Sequence, residues 1–372
     1  MQSTSRIKNG LVILLLWLTG GCASDRPPSG GPLDTTPLQV LFSEPAPSAE
    51  LVSTERIRLT FNHAVSARQL LNSVMISPPI GDYDISVSGR TMEITGFKPL
   101  EQNQTYILSL DKKLRDNSER SFTTPYTMAF STGAVIDEGV ISGTVINTDC
   151  SPATNALIVA FAEHQESSEN GSLLQREPDY FAETDGSGAF SLKHLSKGFY
   201  RIVAFNDRNG NLRINAATEE VALCSRAVLA TGSSELLFRL SGPHQNTGKL
   251  PSRITNNLPA AAETGTISGN CFAAGPYVIV EASSGTASFR TTASRDRNGS
   301  FQYVFSELPS GSYTISAFTP SDSKRPESER QWNPGSIEPF QPAEPFGFYP
   351  EKVTVRPRWT TEHIDIRITT LK

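Results

Sequence analysis

The densest run of oxygen-bearing side chains is Asp207-Arg208-Asn209-Gly210-Asn211. Asp207, Asn209 and Asn211 stand at alternate positions, the spacing with which a calcium loop opens, and Asn215, Glu219 and Glu220 follow within reach. Ca²⁺ is a hard cation that takes six to eight oxygen ligands, so the later residues would have to join the first three. Two positions run against the EF-hand pattern: Leu212 stands where that loop needs glycine, and Thr218 where it needs a bidentate glutamate. The plainer expectation is an Asx-rich turn between two strands, with side chains capping their own backbone. Calcium is the one cofactor the sequence suggests, and the self-capped turn is its alternative.

Other chemistry is thinner. His63, His164, His194, His244 and His363 are scattered and form no H-E-x-x-H or similar ligand spacing. There is no C-x-x-C and no G-x-S-x-G, so no redox motif, zinc knuckle or nucleophile elbow is supported. Cys150 and Cys224 fall in one domain on the boundaries below, and a disulfide between them is an open expectation in an exported chain. Cys271 is then left over as a buried thiol. Asp111, Asp116 and Glu119 are expected to form a solvated charged loop. Trp332, Phe346, Phe348, Tyr349 and Trp359 cluster near the C-terminus; they either pack a core or, on an exposed face, stack on sugar rings or a protein partner. No catalytic residue is expected.

These side chains sit in a chain of 372 residues, too long for one core, with two or three domains as the expectation. Hydrophobic residues make up 37% and charged residues 19%, while 27 Gly and 25 Pro punctuate many short strands. The net charge of −5 gives no electrostatic reason to seek nucleic acid.

Residues 1–21 read as a secretion signal: Arg6 and Lys8 flank the apolar run L-V-I-L-L-L-W-L at 11–18, which is far shorter than the ~20 residues of a bilayer span. The run ends in L-T-G-G-C at 18–22, which resembles the lipobox of bacterial lipoproteins. That resemblance implies a lipid on Cys22, a membrane as the first partner, and a place in the cell envelope at the outer membrane, facing the periplasm or the outside. An ordinary cleaved signal followed by a chance cysteine is the alternative. Residues 22–36 are rich in Pro, Gly and Ser and make a tether.

From 37 to 134, short alternating runs such as I-R-L-T-F at 57–61 and Y-I-L-S-L at 106–110 predict strands, separated by turn clusters. The motifs I-R-L-T-F-N-H-A-V at 57–65, I-S-P-P at 76–79, K-P-L-E-Q-N-Q-T-Y at 98–106, R-D-N at 115–117 and F-S-T-G at 130–133 resemble the bacterial Ig-like domain first known from surface-layer proteins. The resemblance implies a spacer or display module.

A repeat follows. G-V-I-S-G at 139–143 answers G-T-I-S-G at 265–269, Gly188-Ala-Phe190 answers Gly299-Ser-Phe301, and L-S-K-G-F-Y at 195–200 answers L-P-S-G-S-Y at 308–313. Asp185 and Asp296 stand three residues before their glycines. Gly198 and Gly311 are expected to take positive φ in a tight turn. The signals resemble the carboxypeptidase regulatory-like, or transthyretin-like, β-sandwich, an accessory module despite its name. The domains expected are 37–134, 139–241 and 264–372, with a linker at 242–263: an all-β chain of three tandem β-sandwiches. The function expected is a non-catalytic structural, display or protein-binding module of the envelope, with a glycan-binding surface lipoprotein as the alternative.

Overall fold

The computed structural model describes residues 34–368, apart from 72, 112–113, 164–171, 243–262, 286, 297–298 and 322–330. The signal, Cys22, most of the tether, most of the 242–263 linker, His164 and His244 lie outside the described residues.

The first sandwich contains β1 (Val40–Glu44), β2 (Ile57–Phe61), α1 (Ala67–Leu71), β3 (Val74–Ser77), β4 (Asp84–Ser88), β5 (Thr91–Thr95), β6 (Thr105–Leu110) and β7 (Tyr126–Ser131). Strand alternation builds it. Ile57, Leu59 and Phe61 point into the core while Arg58 and Thr60 point out. A sheet ordered β1-β2-β5-β4 faces a sheet ordered β3-β6-β7. Between them lie Phe61, Met92, Ile94, Tyr106, Leu108 and Phe130, with the Tyr106 and Phe130 rings stacked at 5.7 Å.

The middle sandwich contains β8 (Gly139–Ile146), β9 (Leu157–Ala162), β10 (Tyr180–Glu183), β11 (Ala189–Leu195), β12 (Phe199–Phe205), β13 (Val221–Leu223), β14 (Leu229–Ala230) and β15 (Leu236–Arg239). The third contains β16 (Thr264–Phe272), β17 (Val278–Ser284), β18 (Ala287–Arg295), β19 (Phe301–Pro309), β20 (Gly311–Phe318), β21 (Phe346–Phe348), β22 (Val353–Val355), β23 (Thr360–Thr361) and β24 (Ile366–Arg367). Their pairings correspond strand for strand. β8 pairs β11 antiparallel and β15 parallel, as β16 pairs β19 antiparallel and β23 and β24 parallel. β12 lies beside β9, β13 and β14, as β20 lies beside β17, β21 and β22. The copies differ at β18, which pairs β17 over residues 287–293 and β19 through Ser294 and Arg295, so the third sandwich's two sheets join at one corner.

The repeated sequence signals have local causes. Asp185 Oδ1 accepts the Ala189 N–H at 3.1 Å and Asp296 Oδ1 accepts the Ser300 N–H at 2.8 Å, while Gly188 and Gly299 close the same turns at φ 76° and 85°. Gly198 and Gly311 differ from expectation, since neither has positive φ. The ring of the tyrosine two residues on lies 3.8 Å and 3.7 Å from where a Cβ would stand, ordinary contact distances, so neither backbone conformation nor crowding at these positions demands glycine. The Tyr200 hydroxyl donates to the Ser196 carbonyl and the Tyr313 hydroxyl to the Pro309 carbonyl, both at 2.8 Å. The L-x-x-G-x-Y signal is thus a turn capped by its own tyrosine.

The middle sandwich is not a free bead. Its β10-β9-β12-β13 sheet is apolar on both faces. Ile158, Ala160, Ile202, Ala204 and Ala222 face its own core, and Leu157, Val159, Phe161, Val203, Phe205, Val221 and Leu223 face outward. Ile337 and Ala343 from the connection between β20 and β21 cover that outward face, with Trp332 and Phe340 beside them and Leu212, Ile214 and Ala216 from the connection between β12 and β13. At the other end, Ile107 and Ala129 of the first sandwich enter the middle core, and the Asp137 N–H donates to Thr105 Oγ1 at 2.9 Å.

Two measurements follow from this packing. A Cβ on Gly143 would overlap the Leu236 carbonyl, and one on Gly269 the Ile364 carbonyl. Gly143→Ala and Gly269→Ala are each expected to destabilise by about 3 kcal/mol in urea unfolding, as overpacking against a backbone that cannot yield. Gly186→Ala, with nothing within 4 Å, should leave the midpoint in place. A chain ended after residue 242 lacks Trp332, Ile337, Phe340 and Ala343. It is expected to bind a hydrophobic dye and to unfold at lower urea than the full chain; a dye-silent fragment of full stability would show that the 206–220 connection covers the sheet alone.

Candidate functional site

The Asp207–Glu220 connection leaves β12 and returns as β13, so two strands of one sheet fix its ends. Asp207 Oδ1 accepts the N–H groups of Gly210 at 2.8 Å and Asn211 at 3.2 Å, and its Oδ2 accepts that of Leu212 at 2.9 Å. Asn209 Oδ1 accepts the Asn211 N–H and Asn211 Oδ1 the Arg213 N–H, both at 2.9 Å. The buried Glu219 holds the far side: its Oε1 accepts from Arg208 N at 3.3 Å and Asn209 Nδ2 at 3.2 Å, and its Oε2 accepts the Asn215 N–H at 3.1 Å. Glu220 turns elsewhere, to Asn206 Nδ2 at 2.7 Å and Arg208 Nη2 at 3.3 Å.

Of the six residues singled out in the sequence, Asn209 and Glu219 are therefore joined side chain to side chain and Glu219 also accepts the Asn215 N–H, while the side chains of Asp207, Asn209, Asn211 and Asn215 accept backbone N–H groups of their own turns. No group of three or more His, Cys, Asp or Glu placed to hold a metal occurs among the described residues. Leu212, at the glycine position of the calcium pattern, takes the left-handed conformation that position calls for, φ 58°, and packs its side chain against the shared apolar cluster.

Cys150, Cys224 and Cys271 are free thiols. The bridge expected between Cys150 and Cys224 is not formed, because the two pack in different clusters. Cys224 lies in the middle core, and Cys150 lies against Ile146, Ile279, Phe318 and Phe346 at the junction with the third sandwich. Burial pushes all three thiols up, Cys271 to about 12 with Asp365 adding to it, which suppresses the reactive thiolate. Asp116 also differs from expectation: it is 1% exposed rather than solvated. Burial works to raise its carboxyl. Hydrogen bonds from the Arg120 and Ser118 N–H groups and a 2.6 Å contact with Arg120 Nε outweigh that and hold it below the usual range.

The C-terminal aromatics separate. Trp332 is half-buried: its Nε1 donates to the Glu344 carbonyl at 2.9 Å, its ring meets Phe346 edge-on at 5.2 Å, and the Arg239 guanidinium lies 5.2 Å above it. Phe346 is buried and Phe348 packs against the same junction. Glu344, itself buried, accepts the Ser321 N–H at 2.6 Å and the Asn333 N–H at 3.0 Å, pinning this segment down. Trp359 alone stays in water, 67% exposed. It lines an open groove of about 470 Å³ with Tyr349, Glu351, Lys352, Arg356 and Glu362. The charged residues of this groove were missed in the sequence. Their signal was the alternation along residues 352–356, where Val353 and Val355 are buried and Lys352, Thr354 and Arg356 are exposed.

Comparison with known proteins bears mainly on the first sandwich. None of the curated proteins matches the chain. Among solved structures, the chain is similar to the N-terminal part of the bacterial S-layer protein SbsC (14% identity, 56% of this chain and 44% of that one, TM-score 0.20). It is also similar to the MG0-NIE-MG1 domains of alpha-2-macroglobulin from Escherichia coli (12% identity, 77% and 95%, TM-score 0.21) and to the I67-I69 fragment of titin (12% identity, 76% and 93%, TM-score 0.16). The chain spans less than half the length of the S-layer fragment. Residues 34–132 match the family of the bacterial Ig-like domain, whose resemblance the motifs between 57 and 133 had carried.

Proposed function

We propose that the chain is a non-catalytic lipoprotein of the cell envelope that holds a partner protein at a fixed place above a membrane. In this reading a lipid on Cys22 and the tether at 22–36 anchor it, most simply at the outer membrane, and the loops and sheet edges of the second and third sandwiches meet the partner. One observation carries the proposal: the three sandwiches share apolar packing instead of hanging on free linkers. Ile107 and Ala129 enter the middle core, and Ile337 and Ala343 cover its outer sheet. Shared cores fix one module relative to the next, which suits display and spacing. The bacterial Ig-like match at 34–132 supports the same reading. The identification of the two later domains as carboxypeptidase regulatory-like sandwiches rests on their paired turn signals and equivalent strand neighbours.

No helix among the described residues is long and apolar enough to cross a membrane. The lipobox-like L-T-G-G-C at 18–22 is what supports an anchor at Cys22, where two or more acyl chains give durable attachment. Cys22→Ser is expected to move the protein from the membrane fraction to the soluble one; unchanged fractionation would overturn the lipid anchor. Crosslinking in intact cells should then recover one partner protein with the wild-type chain and lose it with Cys22→Ser.

The Asp207–Glu220 connection is proposed to work as a self-capped turn that holds Leu212, Ile214 and Ala216 against the sheet, with no ion required. Thermal unfolding of the whole chain in Ca²⁺ and in chelator should give one midpoint. A higher midpoint in Ca²⁺ would instead assign the ion to this loop, because a ligand specific for the native state raises its stability.

A further inference from the structure

We propose that the groove beside the 356–359 turn binds an uncharged oligosaccharide, with Trp359 as its stacking platform. The starting point is an indole that packing does not explain. Trp359 is 67% exposed, yet the turn that carries it is held at every step. The Arg358 N–H donates to the Thr264 carbonyl at 2.7 Å, the Trp359 N–H to the Arg356 carbonyl at 3.2 Å, and the Thr266 N–H to the Trp359 carbonyl at 2.9 Å. Arg358 takes φ 61° to make the bend. Gly265 lies directly under it, where a Cβ would overlap the Arg356 carbonyl. A large aromatic face is thus held in water by a backbone that has little freedom left to lose on binding.

The groove's other walls suit a polyol. Tyr349, packed against the third core, lines the groove beside it, its backbone fixed by a 2.8 Å bond from its N–H to the Ile315 carbonyl. Lys352 and Arg356 bring hydrogen-bond donors, and Glu351 and Glu362 bring acceptors. The lining holds two cations and two anions, so the lining itself carries no net charge. Sugar hydroxyls donate and accept, and the apolar face of a pyranose ring matches an indole. The volume of about 470 Å³ lies within the 300–1,000 Å³ range of small-ligand clefts, and its open form lets a chain run through. A protein partner fits less well, because a stable protein interface needs about 800 Å² per side around an apolar centre, and here one tryptophan stands in a charged rim. The inference does not depend on the lipid anchor.

The test is calorimetric titration of the whole chain with cellohexaose, maltohexaose and chitohexaose. At least one is expected to bind. Trp359→Ala should weaken that binding about tenfold or more, and Trp359→Phe by less. Trp332→Phe should leave it unchanged. Trp359→Ala should unfold at the wild-type midpoint, since the side chain it removes is exposed. Silence with all three sugars, binding of oligogalacturonate alone, or undiminished binding to Trp359→Ala would each overturn the proposal. A protein whose crosslinking is lost in Trp359→Ala while the sugars stay silent would reassign the groove to a protein contact.

Discussion

A β-sheet with two apolar faces must be covered twice, and the architecture of the second and third sandwiches follows from that constraint. One face of the β10-β9-β12-β13 sheet closes the middle sandwich in the ordinary way. The other carries Leu157, Val159, Phe161, Val203, Phe205, Val221 and Leu223, all 2% exposed or less. At roughly 25 cal/mol per Å² of buried apolar surface, a face of that size cannot be left to water without a cost comparable to a domain's whole stability. The chain covers it with two connections that hold the same place in the repeat: β12 to β13 within the middle sandwich, and β20 to β21 reaching back from the third. Modules that look like beads in the sequence are thereby made into one body.

The parts of the fold that were legible in the sequence are those whose cause is local. Asp185 and Asp296 each cap a turn closed by a glycine at positive φ, and a five-residue window contains the whole interaction. Tyr200 and Tyr313 bond to carbonyls four residues earlier. The strand alternation of I-R-L-T-F at 57–61 states which face is buried. At Gly198 and Gly311 the position was recognised, but the positive φ expected there is not adopted. A glycine before a tyrosine suggests a special φ, and the backbone there is ordinary, with a ring at van der Waals distance from where a Cβ would stand.

What was not legible depends on partners far along the chain. L-I-V-A-F-A at 157–162 lacks the alternation of a half-buried strand, which is the mark of a strand buried on both sides. The run says that a cover exists without saying where it comes from. The residues that supply it, Ile337 and Ala343, lie in a segment rich in proline that reads as loop. Asp116 shows the same limit for charge. Three carboxylates in one loop suggest a solvated surface, and only the fold reveals that Arg120 and two N–H groups enclose one of them. The candidate site was half legible. The Asx turns of residues 207–215 came through, while the separate fates of Trp332 and Trp359 did not, because both are tryptophans in a polar, proline-rich context.

The two equivalent connections also show why the oxygen-rich loop needs no counterpart in the later copy. Both must deliver apolar side chains to the same sheet, over different distances. The β12–β13 connection starts from that sheet and has little chain to spare, so it bends sharply through Asp207, Asn209 and Asn211 and places Leu212 in a left-handed conformation. Asp207 and Glu219 serve the bend by binding backbone N–H groups that a tight loop would otherwise leave without partners. The β20–β21 connection starts from the neighbouring sandwich and is longer, and its described part is held at Glu344, by a turn closed between Ser336 and Gln341, and by the Ala343 N–H on the Cys224 carbonyl. One requirement is met by a capped turn where the span is short and by an anchored segment where it is long, and Asp207, Asn209 and Asn211 each bind backbone N–H groups of the shorter one.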